Sequence, residues 1–142
     1  MVAICHLCFI YQAVRRIEGE MAYQEVLDIR RRLDRRRETH RRRLWREVKR
    51  LATEAAGLGA QRVILFGSLA RAEEPGLTGD LDLLIVWDTP LGFLERTVDL
   101  YRRLRPRVAA DLLVYTPDEM ERMVDTPLVR RILEEGKVLY ET

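Results

Sequence analysis

Apolar residues recur at helical spacing over residues 21–56, where Val26, Ile29, Leu33, Leu44, Val48, Leu51 and Ala55 fall on one stripe; Gly57 and Gly59 stop it. The pattern predicts one long helix. Between Leu33 and Leu44 the stripe gives way to Arg35, Arg36, Arg37, Arg41, Arg42 and Arg43, so that stretch is expected to project into solvent. Asp34 with Arg37, and Glu38 with Arg42, have the spacing of helix-surface ion pairs. After residue 59 the period changes. Short apolar runs at 63–66, 81–87 and 108–115 read as strands, and helices are expected between and after them. Thr89-Pro90, Thr116-Pro117 and Thr126-Pro127 each place a capping residue before a proline, the arrangement that opens a helix. Glu119 adds a capping box to the second, and Gly136 closes the third before a strand-like 138–140. The class is α/β, a small sheet of three or four strands with flanking helices, preceded by the long helix.

A chain of 142 residues is about one domain long and can bury roughly two-thirds of its unfolded surface. With 47% hydrophobic and 34% charged residues it reads as an ordered globular protein. No apolar run approaches the roughly 18 residues that span a bilayer, so a cytoplasmic protein without membrane contact is expected. Residues 1–20 differ in composition from the rest and read as an atypical extension ahead of an arginine-rich helix, 21–57, and a main domain, 58–142. Glu18-Gly19-Glu20 could be encoded by a purine-rich run resembling a ribosome-binding site, which makes Met21 a candidate native start. Cys5 and Cys8 form a Cys-x-x-Cys pair, but no second pair accompanies them, and His6 and His40 are the only histidines; a zinc or redox role is not favoured. Residues 30–50 hold twelve basic and three acidic residues, so the formal net charge of +2 conceals a strongly basic helix on an otherwise acidic chain.

The candidate chemistry lies on the strands. Asp80 and Asp82 flank Leu81 and, by strand alternation, point the same way. The run that follows, Leu83 to Val86, is apolar on both faces, and unpaired carboxylates beside it would be costly unless a cation relieved them. Asp111 is a third acid, set among Ala109, Ala110, Leu112 and Leu113. Three such acids suit a hard cation such as Mg²⁺, which takes oxygen ligands and keeps positions open for substrate phosphates. Gly67 and Ser68 end the first strand; glycine lets backbone amides approach a phosphate, Ser68 offers a hydroxyl, and Arg71 a charge one turn on.

Gly67-Ser68-Leu69-Ala70-Arg71-Ala72 followed by Gly79-Asp80-Leu81-Asp82-Leu83 resembles the signature of the minimal nucleotidyltransferases of the DNA polymerase β-like superfamily. The resemblance spans residues 51–141 and takes in Asp111. Ala72 stands where the family usually has glycine and Gly79 where it has serine, and the interval from Ser68 to Asp80 is one residue longer than the common form. The resemblance implies transfer of a nucleoside monophosphate, usually from ATP, to a hydroxyl. Asp80, Asp82 and Asp111 would be catalytic and hold two Mg²⁺ ions, and Gly67, Ser68 and Arg71 would bind the nucleotide. It further implies an antitoxin that modifies a tyrosine of a HEPN-domain toxin.

Blander readings stand beside these. A lone Asp-x-Asp is often a solvated strand end, and only the conjunction with glycine-serine and the third acid makes the signal specific. For Arg71 a surface ion pair competes with phosphate contact. The arginine-rich helix could bind nucleic acid by releasing counterions. A solvated face is favoured instead, because Trp45 is the only aromatic among these arginines. A non-catalytic module that sequesters a toxin, and an enzyme acting on an aminoglycoside-like small molecule, remain alternatives.

Overall fold

The computed structural model describes residues 6–71 and 79–142. Cys5 and Ala72 lie outside the described residues. The order is α1 (His6–Gly57), β1 (Ala60–Phe66), α2 (Gly67–Ala70), β2 (Leu81–Trp87), α3 (Phe93–Leu104), β3 (Ala110–Tyr115), α4 (Pro117–Met123), α5 (Pro127–Glu135) and β4 (Lys137–Glu141). The chain forms two compact units, residues 1–38 and 39–142, so the last turns of α1 belong with the sheet. Among the described residues no helix is long and apolar enough to cross a membrane.

The sheet is mixed and four-stranded, in the order β3-β2-β1-β4. β2 pairs antiparallel with β1 and parallel with β3, and β1 pairs antiparallel with β4. A parallel pair needs a crossover, which α3 supplies. β2 is internal, and Leu81, Leu83, Leu84 and Ile85 are fully buried, each worth about 2 kcal/mol in apolar burial. Alternation along the strands separates two cores. Val63, Leu65, Leu83, Ile85, Leu112 and Val114 face α1 and α3, meeting Leu44, Val48, Leu51, Leu100 and Leu104. Ile64, Leu84, Val86 and Tyr115 face the other way, onto Val129 and Ile132 of α5 with Met120 and Met123 of α4 against them.

The structure departs from the pattern in four places. α1 begins at His6, ahead of the expected residue 21, and only the later part of its stripe is buried: Leu44, Val48, Leu51 and Ala55 are in the core, whereas Val26 and Ile29 are 61% and 56% exposed. α3 does not start at Thr89-Pro90. Thr89 Oγ1 accepts instead from the backbone N–H of Leu91 at 3.3 Å, closing a local turn, and the helix is capped at Gly92, whose N–H donates to Glu95 Oε2 at 3.3 Å. β1 starts at Ala60, earlier than the apolar run, and β3 starts at Ala110, later than residue 108. The box at Thr116 forms as its residues dictate: Glu119 N–H donates to Thr116 Oγ1 at 3.3 Å, and Thr116 N–H donates to Glu119 Oε2 at 3.0 Å.

Candidate active site

The sheet topology assembles the candidate residues. Because β1 runs against β2 and β3 runs with it, the end of β1 and the starts of β2 and β3 meet at one end of the sheet. There Phe66, Asp82 and Asp111 form one cross-strand row, with Asp82 paired to Phe66 on one side and to Asp111 on the other. Neighbours in a row point to the same face. The two carboxylates are therefore side by side on the α4–α5 face, just beyond the apolar pairs Leu84/Leu113 and Val86/Tyr115. Asp80 immediately precedes β2 and is exposed, Asp111 is exposed, and Asp82 is half-buried.

Asp82 bears the electrostatic cost of this arrangement. Burial, then the charges of Asp111 and Asp80, push its carboxyl above the usual carboxylate range, and Arg71 only partly offsets them. Gly67 makes room for it. That residue adopts φ +75°, and a Cβ there would lie 2.1 Å from Asp82 Oδ2. Ser68, half-buried, follows in α2. Arg71 stands near enough to act on Asp82 but also forms an ion pair with Glu135 at 3.5 Å. All six residues singled out from the sequence thus lie at this end of the sheet.

Three supports were not visible in the sequence pattern. His40 Nε2–H donates to the carbonyl of Gly79 at 3.2 Å, tethering the residue before Asp80 to α1. Tyr101 of α3 brackets Asp111: its hydroxyl donates to Ala110 O at 2.5 Å and accepts from Leu112 N–H at 3.1 Å. Arg96, only 2% exposed, donates to Val114 O at 3.1 Å and to Leu91 O at 3.2 Å and pairs with Glu119. The lone central histidine and the arginine inside an otherwise amphipathic helix were the only hints.

A curated relative, a candidate protein adenylyltransferase of Methanocaldococcus jannaschii, is 32% identical over 82 residues, covering 56% of this chain and 78% of the relative. This chain belongs to the minimal nucleotidyltransferases of the DNA polymerase β-like superfamily. No family model matches the sequence. A crystal structure of a candidate nucleotidyltransferase from Sulfolobus solfataricus shares the nucleotidyltransferase fold at a TM-score of 0.55 and 20% identity, covering 75% of this chain and 87% of that one. A chain of the MntA–HpeT toxin–antitoxin complex aligns at a TM-score of 0.41 and 24% identity over 58% of this chain and 61% of its own, too distant to bear on the argument.

The donor set of this nucleotidyltransferase fits a hard cation. The carboxylates of Asp80 and Asp111 act on that of Asp82 by repulsion that Arg71 only partly offsets, and such repulsion among oxygen donors is what a cation relieves. Among the described residues no three acidic, histidine or cysteine side chains form a ready-made metal cage.

Proposed function

We propose that this nucleotidyltransferase transfers the adenylyl group of ATP to a hydroxyl, that of a tyrosine on a HEPN-domain partner protein, and so acts as an antitoxin. The observation that carries the reading is the Asp82–Asp111 pair in one cross-strand row, with Asp82 raised by burial and by its acidic neighbours beside a glycine that leaves it space. The name of the Methanocaldococcus jannaschii relative supports a protein as acceptor.

In this reading Asp80, Asp82 and Asp111 hold Mg²⁺. When bound, the metal supplies positive charge that clamps the triphosphate and offsets charge developing on the leaving pyrophosphate. The backbone at Gly67 and the Ser68 hydroxyl cradle the phosphates, and Arg71 is the nearby cation, exchanging Glu135 for a phosphate oxygen. Asp111, exposed at the start of β3, accepts the proton of the acceptor hydroxyl. The acceptor oxygen forms a bond to the α-phosphorus, the bond from that phosphorus to the α,β-bridging oxygen breaks, and pyrophosphate leaves with the electron pair. Tyr101 and His40 touch neither substrate; they position the backbone on either side of Asp111 and before Asp80.

The test is incubation with α-labelled ATP and Mg²⁺, with and without a HEPN-domain partner, comparing wild type with Asp80→Ala/Asp82→Ala. Label on the partner that disappears in the double mutant is the expected result. A second reading, a binding module that sequesters the toxin without chemistry, draws on Arg71 being engaged by Glu135. Complex formation with no label transfer in wild type would select it.

A further inference from the structure

At the same end of the sheet, on the α1 side, lies a cleft of about 530 Å³ whose lining carries four guanidinium groups, those of Arg43, Arg46, Arg50 and Arg107, against the single carboxylate of Glu47. Its frame is built. Glu47 is 5% exposed, accepts from Arg107 N–H at 2.8 Å and from Arg50 at 2.5 Å; Arg50 also donates to Leu104 O at 3.0 Å and Arg105 O at 3.2 Å. These bonds fix the loop between α3 and β3. They also consume Arg50; among the described residues Arg43 donates to a carbonyl, that of Arg107 at 3.2 Å, and Arg46 is exposed with no ion pair. Positive charge is therefore left facing the cleft. Val108, on its wall, is three residues before Asp111, so the chain between them spans at most about 10 Å, and a bound segment reaches from this cleft around the end of the sheet to the carboxylates on its other face.

Resting on the reading of the site as a protein adenylyltransferase, we propose that this cleft receives acidic side chains a few residues from the acceptor tyrosine, so that the acceptor is selected as an acidic peptide segment. Guanidinium forks match carboxylates two bonds at a time, which gives register as well as attraction. A nucleic acid is the poorer fit. No aromatic side chain lines the cleft on which a base could stack, and its extent is a few side chains rather than a run of phosphates.

The probes are two peptides of equal length with one tyrosine each, flanked by glutamate in one and glutamine in the other, and a single-stranded oligonucleotide. Peptide binding is read by fluorescence anisotropy and adenylyl transfer by label from α-labelled ATP. The glutamate peptide is expected to bind at least five-fold tighter than the glutamine peptide. Arg46→Glu, a change at an exposed side chain with no ion pair among the described residues, is expected to remove that preference and raise KM for the glutamate peptide about three- to ten-fold with little change in kcat, as surface charge pairs of this kind allow. Equal binding of the two peptides, or a preference that survives Arg46→Glu, overturns the proposal. So does oligonucleotide binding that depends on Arg46 and displaces the glutamate peptide. If neither peptide is labelled while the glutamate peptide still binds through Arg46, the cleft stands and the transferase reading is what has failed.

Discussion

Gly67 and Asp82 occupy one space: the place where any other residue would carry its Cβ lies 2.1 Å from Asp82 Oδ2. Gly67→Ala is therefore expected to act twice. The φ of +75° costs about 1–2 kcal/mol for a residue with a side chain. The methyl group also pushes the Asp82 carboxylate off its position, and a shift of about 1 Å at a reacting centre is worth roughly a hundred-fold in rate. Denaturant unfolding and label transfer measured together check this; a variant with wild-type transfer would show that the position of Asp82 does not matter.

The raised carboxyl of Asp82 fixes a sign. Without a cation the folded protein holds this proton more readily than the unfolded chain, so stability contributed here is lost as pH climbs from the usual carboxylate range through the raised native pKa. Asp82→Asn removes that loss. It is expected to stabilise the metal-free protein at neutral pH by about 0.5 kcal/mol, the scale of a like-charge cross-strand pair. Added Mg²⁺ should raise the melting temperature of wild type and leave the variant unmoved, since only binding to the folded state shifts the transition. A variant that melts below metal-free wild type would contradict the account.

Glu119 has the opposite sign. The Arg96 guanidinium, and then the Thr116 N–H, hold its carboxyl below the usual range against burial. Its stabilisation is present above the unfolded pKa and fades as pH falls through the lowered native one. Glu119→Gln strands Arg96, which is 2% exposed, and is expected to cost about 2–4 kcal/mol at neutral pH, near the lower end for an ion left unpaired inside a protein. The difference from wild type should shrink in acid; urea titrations at neutral pH and at low pH would show whether it does.

Tyr101→Phe keeps the ring and deletes the hydroxyl that joins Ala110 O to Leu112 N–H. The expected cost is about 1–2 kcal/mol, two backbone groups losing one shared partner. Faster amide hydrogen exchange at Leu112 is the direct reading, and reduced transfer should accompany it if the backbone around Asp111 must be held still.

What could be read from the chain was local. β2 matches residues 81–87 because a strand buried on both faces is a continuous apolar run, and α4 starts at its box because Thr116 and Glu119 carry the whole device. Each acid and Gly67 was legible by itself, as a carboxylate on an apolar strand or a glycine at a strand end, whereas the side-by-side placement of Asp82 and Asp111 comes from the pairing of β2 with β3. β3 was drawn two residues too long because Val108 is as apolar as its neighbours, while the loop there answers to Glu47, 60 residues away from Arg107. His40 with Gly79, Tyr101 with Ala110 and Arg96 with Glu119 failed to show for the same reason: a period along the chain says nothing of a partner across it. Val26 and Ile29 keep the helical spacing of a core face yet stay exposed, so periodicity marked a stripe without marking what covers it.

The side chains of Tyr101 and Arg96 have one more effect. The backbone groups they take, Ala110 O, Leu112 N–H and Val114 O, are those that β3 turns away from β2. An edge strand with such groups vacant is a template for a foreign strand. Here α3 zips that margin shut beside Asp111, so a neighbouring chain that would extend the sheet next to the acids must first displace Tyr101 and Arg96.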